Sequence, residues 1–150
     1  MDFACAKKAE FASLSRGRLG SWEACERLNL LTDDSDPDTE LSQLEHLLQS
    51  AEAARRDSQP EWLVVTGLVH DLGKILALWC EAQWAVVGDT FPLGCPFDER
   101  IVRSEFFEDN ADTRVERFQQ GTGIYVAATG LRNVVMSWGH DEYMYMVAKP

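Results

Sequence analysis

His70, Asp71 and Lys74 stand inside the apolar run from Glu61 to Cys80, EWLVVTGLVHDLGKILALWC. On a helix, offsets of zero, one and four residues fall within a sector of about 100°, so the three polar side chains point the same way. A carboxylate and an ammonium buried in an apolar helix are unfavourable unless they pair with each other or bind a metal. Two readings follow. One is an Asp71–Lys74 ion pair at i, i+3 with His70 hydrogen-bonded nearby. The other is a metal site, in which His70 offers a neutral imidazole and Asp71 a carboxylate able to bridge two ions. His140-Asp141 repeats the pair directly after Gly139, whose missing side chain leaves room for a close neighbour. Taken alone, His140 reads as a capping or core histidine, and His46 as a structural one. The chain has three histidines, and all fall in expected helices beside apolar faces. Together they form an N,O donor set that suits iron, manganese or zinc.

The elements that must hold these residues are helical. Ser21 to Leu31 has apolar residues at Trp22, Cys25, Leu28 and Leu31, the spacing of a short amphipathic helix with Ser21 as N-cap. The acidic run around Pro37 ends it, because Pro37 donates no hydrogen bond and keeps Asp36 out of the helical region. From Thr39 to Asp57, Leu41, Leu44, Leu48, Ala51 and Arg55 recur at helical spacing, with Pro60 closing the segment and His46 roughly opposite this stripe beside Ser50 and Ala53. Glu61 to Cys80, apolar nearly all round, reads as a central buried helix. Trp84 to Cys95 is broken by Gly88, Pro92 and Gly94 and reads as a loop with a short extended piece. Residues 96 to 122 are polar with short helical turns, and Gly130 leads into a helix over LRNVVMSWGHDEYMYMVAK. Residues 1 to 20 show no sustained period and are expected to be an irregular start, with residues 21 to 150 as one domain.

Composition narrows the partners. The 150 residues include 45% apolar types, enough for one core, and no run approaches the ~20 apolar residues of a membrane span. Fourteen basic against 25 acidic residues give a net charge of −11, which repels a phosphate backbone. Neither nucleic acid nor a membrane is expected as a partner. The four cysteines contain no CxxC pair and are read as reduced thiols of a cytoplasmic protein.

Five blocks carry a resemblance. SDPD at Ser35 to Asp38, HLLQSAEA at His46 to Ala53, HDLGK at His70 to Lys74, QWAVVGDTFPLGC at Gln83 to Cys95 and SWGHDEYMY at Ser137 to Tyr145 resemble, in order and spacing, the signature blocks of the myo-inositol oxygenase family. HDLGK alone is weak, because His-Asp pairs mark the wider helical class of HD-type hydrolases. The long QWAVVGDTFP and SWGHDEYMY blocks are more specific. The resemblance implies an all-α, HD-domain-like helical bundle, truncated at its C-terminus, around two iron ions (Fe2+/Fe3+). By position, His46 and His70 would bind the first iron, Asp71 would bridge both, and His140 would bind the second. Lys74 would act on a substrate hydroxyl, Gly88 and Asp89 would contact the cyclitol, and Asp33, Asp34 and Ser35 would form another substrate-contacting stretch. The implied partners are myo-inositol and dioxygen, the implied reaction is ring cleavage to D-glucuronate, and the implied state is a monomer.

Family members run well past SWGHDEYMY, and their last third supplies one further histidine and one further aspartate ligand. Each iron in this chain would therefore lack one protein ligand, and catalysis by these 150 residues alone is not expected. Smaller departures are Asp34 where the family has Glu and Thr129 where Cys is common. Three readings remain: a piece of an active inositol oxygenase, which ranks first; a short, non-catalytic product; and a metal-dependent phosphohydrolase of the wider HD type.

Overall fold

The computed structural model describes residues 1–33 and 41–149. Among them are seven α-helices: α1 (Asp2–Phe11), α2 (Ser21–Leu28), α3 (Gln43–Arg56), α4 (Glu61–Val69), α5 (Ile75–Leu78), α6 (Gln83–Val86) and α7 (His140–Ala148). Short 3-10 segments join them, and the sole β feature among the described residues is an isolated antiparallel bridge between Pro92 and Met136. The architecture is all-α, as the hydrophobic periodicity predicts. No helix among the described residues is long and apolar enough to cross a membrane.

Helix α3 starts on a capping box: the Ser42 hydroxyl accepts from the Glu45 amide while the Glu45 carboxylate accepts from the Ser42 amide. That pairing satisfies two of the free amides of the first turn and explains why the helix begins at Gln43. Its inward face consists of Gln43 and fully buried Leu47, with His46 and Ser50 beside them, while Leu48 is exposed. Of the leucine stripe, Leu44 packs against the core, and the lane beside His46 supplies the fully buried Leu47. Helix α2 differs less from expectation: Ser21 is its first helical residue, and Gly20 takes the N-cap position.

Helices α3 and α4 form a hairpin in which Gly67 lets the backbones meet. A Cβ there would lie 3.0–3.1 Å from backbone atoms of Ser50 and Ala51. The run from Glu61 to Cys80 is not one buried helix. After Val69 the chain tightens into a 3-10 segment, His70–Lys74, before α5. No residue of α4 is buried, and Trp62 and Val65 are exposed. The 3-10 segment is the buried part, with Asp71, Leu72, Gly73 and Lys74 all inside.

That segment runs along the seam between two apolar clusters. On one side Leu72 packs with Cys25, Leu28 and Leu47; on the other, Leu76 packs with Ala4, Phe11, Val86, Trp138 and Tyr143. The N-terminal segment belongs to the second cluster, so the irregular start expected for residues 1 to 20 is corrected: residues 2–11 are helical, with Ala4 and Phe11 buried. Phe11 stacks on Trp138 at 5.2 Å and meets the edge of Tyr143 at 5.8 Å. Salt bridges from Lys7 to Glu81 and Lys8 to Glu142 hold the same helix.

The long C-terminal helix expected after Gly130 is also shorter. Only His140–Ala148 is α-helical; Leu131–Asn133 makes a single 3-10 turn, and residues 134–138 run extended beside the loop after α6. Leu93 donates to the Val135 carbonyl at 2.8 Å, Ser137 to the Phe91 carbonyl at 2.8 Å, and Phe91 to the Ser137 hydroxyl at 3.1 Å. The β-branched pair Val134-Val135 suits this extended pairing better than a helix.

Candidate metal centre

Two helices and the 3-10 segment bring the expected donors together around Asp71. His46 comes from α3, His70 and Asp71 from the 3-10 segment, and His140 from the start of α7. His140 Nε2 lies 3.3 Å from Asp71 Oδ1, His70 Nε2 3.5 Å from the same oxygen, and His46 Nε2 3.4 Å from Asp71 Oδ2. His46 and His70 approach each other at 3.3 Å between their Nε2 atoms.

The outer nitrogens decide what these contacts mean. His70 Nδ1 lies 2.9 Å from the Gly67 carbonyl, and His140 Nδ1 lies 2.8 Å from the Val86 carbonyl. A carbonyl only accepts, so each Nδ1 carries the proton and donates, and each neutral ring turns a lone pair inward at Nε2. Both lone pairs then face one carboxylate oxygen, Asp71 Oδ1, which also only accepts. The arrangement is repulsive unless a proton or a cation sits among these atoms.

The charge state follows the same logic. Burial alone pulls the His140 imidazole toward its neutral form, but the Asp71 carboxylate bonded to it, the nearby Asp141 charge and the Val86 carbonyl outweigh that, and its pKa is raised. Burial pushes the Asp71 carboxyl up, and its bond to His140 together with the Lys74 charge more than reverses this, holding it well below the usual carboxylate range. Lys74 is raised in turn: burial lowers it, and Asp33 and Asp71 overcome the burial. Its ammonium lies 2.9 Å from Asp33 Oδ2, 2.9 Å from Asp71 Oδ2 and 3.5 Å from Gln43 Oε1, one contact for each of its three N–H groups.

The donor set fits a metal ion. Donors at 2.0–2.1 Å from a tetrahedral ion sit roughly 3.3 Å apart, and the contacts among His46, His70 and Asp71 are 3.3–3.5 Å, with His140 Nε2 3.3 Å from Asp71 Oδ1. Inward Nε2 atoms backed by Nδ1–H···O=C bonds are the usual support of a ligating histidine. Both oxygens of Asp71 are engaged, Oδ1 toward His70 and His140 and Oδ2 toward His46. His46, His70 and Asp71 alone place three donor atoms within 4.8 Å of one another. Asp71, Lys74 and His140 are buried, whereas the His46 and His70 side chains stay 39% and 31% exposed, so the centre is open on that side.

The remaining expected residues fall into three groups. Asp33 is buried and joined to Lys74, on a segment held where the Gln83 amide donates to the Thr32 carbonyl. Asp34 and Ser35 lie outside the described residues. Gly88, at φ +90, and Asp89 form an exposed turn, with Asp89 accepting from the Val102 amide at 2.8 Å. Asp89, Thr90, Phe91 and Arg100 line a depression of about 520 Å³.

Sequence reasoning missed the residues that shape the centre rather than occupy it. Gly73 is one: a Cβ there would lie 2.1 Å from the His140 carbonyl oxygen, so the 3-10 segment can touch α7 only with glycine at this position. The role expected of Gly139 belongs to Gly73, because a Cβ on Gly139 would meet nothing closer than 3.5 Å. Gln43, Thr90 and the carbonyls of Gly67 and Val86 carried no signal in one sequence, since backbone groups and ordinary polar residues advertise no chemistry.

Comparison with known proteins identifies the family. The family model described as Myo-inositol oxygenase matches residues 1–150. The chain is 51% identical to Inositol oxygenase 1 of Arabidopsis thaliana over 99% of its own length and 49% of that protein's. It is 48% identical to the inositol oxygenase of Dictyostelium discoideum, covering 97% of the chain and 52% of that protein. With the inositol oxygenase of Rattus norvegicus it shares 45% identity over 99% of the chain and 53% of that protein. The chain thus spans about half the length of the curated relatives it matches. A match running from the first residue to the last, through the segments that converge on Asp71, places the chain in the myo-inositol oxygenase family.

Proposed function

We propose that this chain carries one part of the di-iron and substrate site of an inositol oxygenase, an oxidoreductase that opens the ring of myo-inositol with dioxygen to give D-glucuronate. In this reading His46, His70 and Asp71 hold one iron, Asp71 extends to the second, and His140 holds that second ion. The observation that carries it is the convergence of three imidazole Nε2 atoms on one buried carboxylate. An iron pair supplies Lewis acidity toward substrate oxygens and the electrons that dioxygen activation requires.

The chain's own residues would do the rest. Lys74 has three N–H groups and three acceptors. With Asp71 committed to a cation, Lys74 would have one N–H free to donate to a substrate hydroxyl and would favour its alkoxide-like form. Asp89 retains acceptor capacity beyond the Val102 amide, and with Gly88 it would receive further hydroxyls of the ring. Asp33, Asp34 and Ser35 complete the substrate contacts in this reading. It also carries dioxygen as co-substrate, a monomeric state and a cytoplasmic location.

The test compares this chain with one extended to the length of its relatives, each loaded with iron. Myo-inositol-dependent oxygen uptake and glucuronate formation are expected in the extended form and are expected to vanish in its H70A and D71N variants. Phosphate release from nucleotides without inositol-dependent oxygen uptake would overturn the reading.

A further inference from the structure

Asp141, the residue after the candidate ligand His140, is not buried, yet both its oxygens are engaged. Oδ1 lies 3.5 Å from His140 Nε2, and Oδ2 accepts from the Thr90 hydroxyl at 2.8 Å. The latter bond spans 51 residues of chain. Four residues before Thr90, the Val86 carbonyl accepts from His140 Nδ1 at 2.8 Å. The stretch Val86 to Thr90 is therefore attached to the start of α7 at both its ends. One attachment runs through the imidazole of His140 and the other through the neighbouring carboxylate. Between the two attachments lies the turn of Gly88 and Asp89, which is itself fixed only by the bond from the Val102 amide to Asp89.

From this bracket we infer that Thr90 and Asp141 form a clasp, with Thr90 as a positioning residue that ties the Gly88–Asp89 turn to the metal-facing orientation of His140. The inference rests on the metal-site reading above. The Thr90 hydroxyl orients the Asp141 carboxylate. That carboxylate bears on His140 from the side opposite its Val86 bond. An ion bound at His140 Nε2 fixes the imidazole, and through Val86 on one side and Asp141–Thr90 on the other it orders the turn. Thr90 also borders the depression beside Asp89, so the clasp lies where a ring hydroxyl would approach. Valine matches threonine in shape and lacks only the hydroxyl, which isolates the bond from the packing.

The experiment uses the 150-residue chain with Co2+ as a spectroscopic probe and follows two readouts. One is cobalt affinity from its visible absorption; the other is amide hydrogen exchange over residues 86–92 with and without cobalt. In the parent chain cobalt is expected to slow exchange in this stretch. T90V and D141A, which break the clasp from opposite ends, should bind cobalt about tenfold more weakly, the low end for loss of a ligand's supporting partner. They should also lose the cobalt-dependent slowing, while T90S, which keeps the hydroxyl, should retain both within about twofold of the parent. H140A identifies the part of the cobalt signal that belongs to His140. If T90V and D141A bind cobalt and slow exchange like the parent, the clasp is overturned and the metal site stands. If the parent chain binds no cobalt, the metal-site reading fails and the clasp fails with it.

Discussion

At the scale of single residues, the centre depends as much on an absent side chain as on the donors. The position of Gly73, with its Cβ direction aimed at the His140 carbonyl, forces the 3-10 segment or α7 to move if any side chain is added. G73A should destabilise the chain by about 1–3 kcal/mol or more, as overpacking does. G139A, where extended backbone and a nearest neighbour at 3.5 Å leave room, should stay within about 1 kcal/mol of the parent. Urea midpoints of the two variants check the contrast, and equal shifts would reject this account of the close approach. D71N should weaken Co2+ binding by at least about 100-fold, beyond the range for supporting residues, since it removes the carboxylate toward which all three imidazoles turn. Much of this was legible in the sequence: His70, Asp71 and Lys74 share a sector whether the helix is α or 3-10, and the histidines were few enough to group. Gly73 was not, because the atom it makes room for belongs to a residue 67 positions away in the chain.

Among the elements, those with local causes were legible and those with distant partners were not. Helix α3 was foreseen because its periodicity and Pro60 are local, although the capping box at Ser42 and Glu45 went unread. S42A should lower stability by about 0.5–2 kcal/mol, readable as a shifted thermal midpoint. The break at His70 was invisible in an apolar run that reads as a continuous helix. Its cause is the tertiary approach to α7. The segment after Gly130 was over-read for the opposite reason: Val135 and Ser137 pair with Leu93 and Phe91 of the loop after α6, a partner that a helical pattern does not reveal. Helix α2 offers a test of its own packing, because Cys25 is buried and burial pushes its thiol up. A maleimide reagent should label exposed Cys5 and Cys80 in the native chain and reach Cys25 only on unfolding. Fast native labelling of Cys25 would contradict the packing of α2 against α3.

For the molecule as a whole, the two apolar clusters meet along the segment that carries Asp71 and Lys74. An ion that joins α3, this segment and α7 should therefore stabilise the whole fold. At a free concentration 100 times its dissociation constant, such an ion adds about 2.7 kcal/mol. For a chain of this size that is a rise of roughly 5–10 °C in melting temperature, reversed by a chelator. A melting curve indifferent to Co2+ and chelator would count against the centre. Helix α1 fixes the order in which this molecule can assemble. Phe11 rests on Trp138 and Tyr143, and Lys8 on Glu142, so the segment that leaves the ribosome early must wait for the segment that leaves late. At ~5–20 residues per second that wait is roughly 7–30 s, during which α2, α3 and α4 have their neighbours at hand while α1 still lacks Trp138, Tyr143 and Glu142. A nascent chain halted before Trp138 should accordingly expose Phe11 to chaperones, and release of the last turn of α7 should end that exposure.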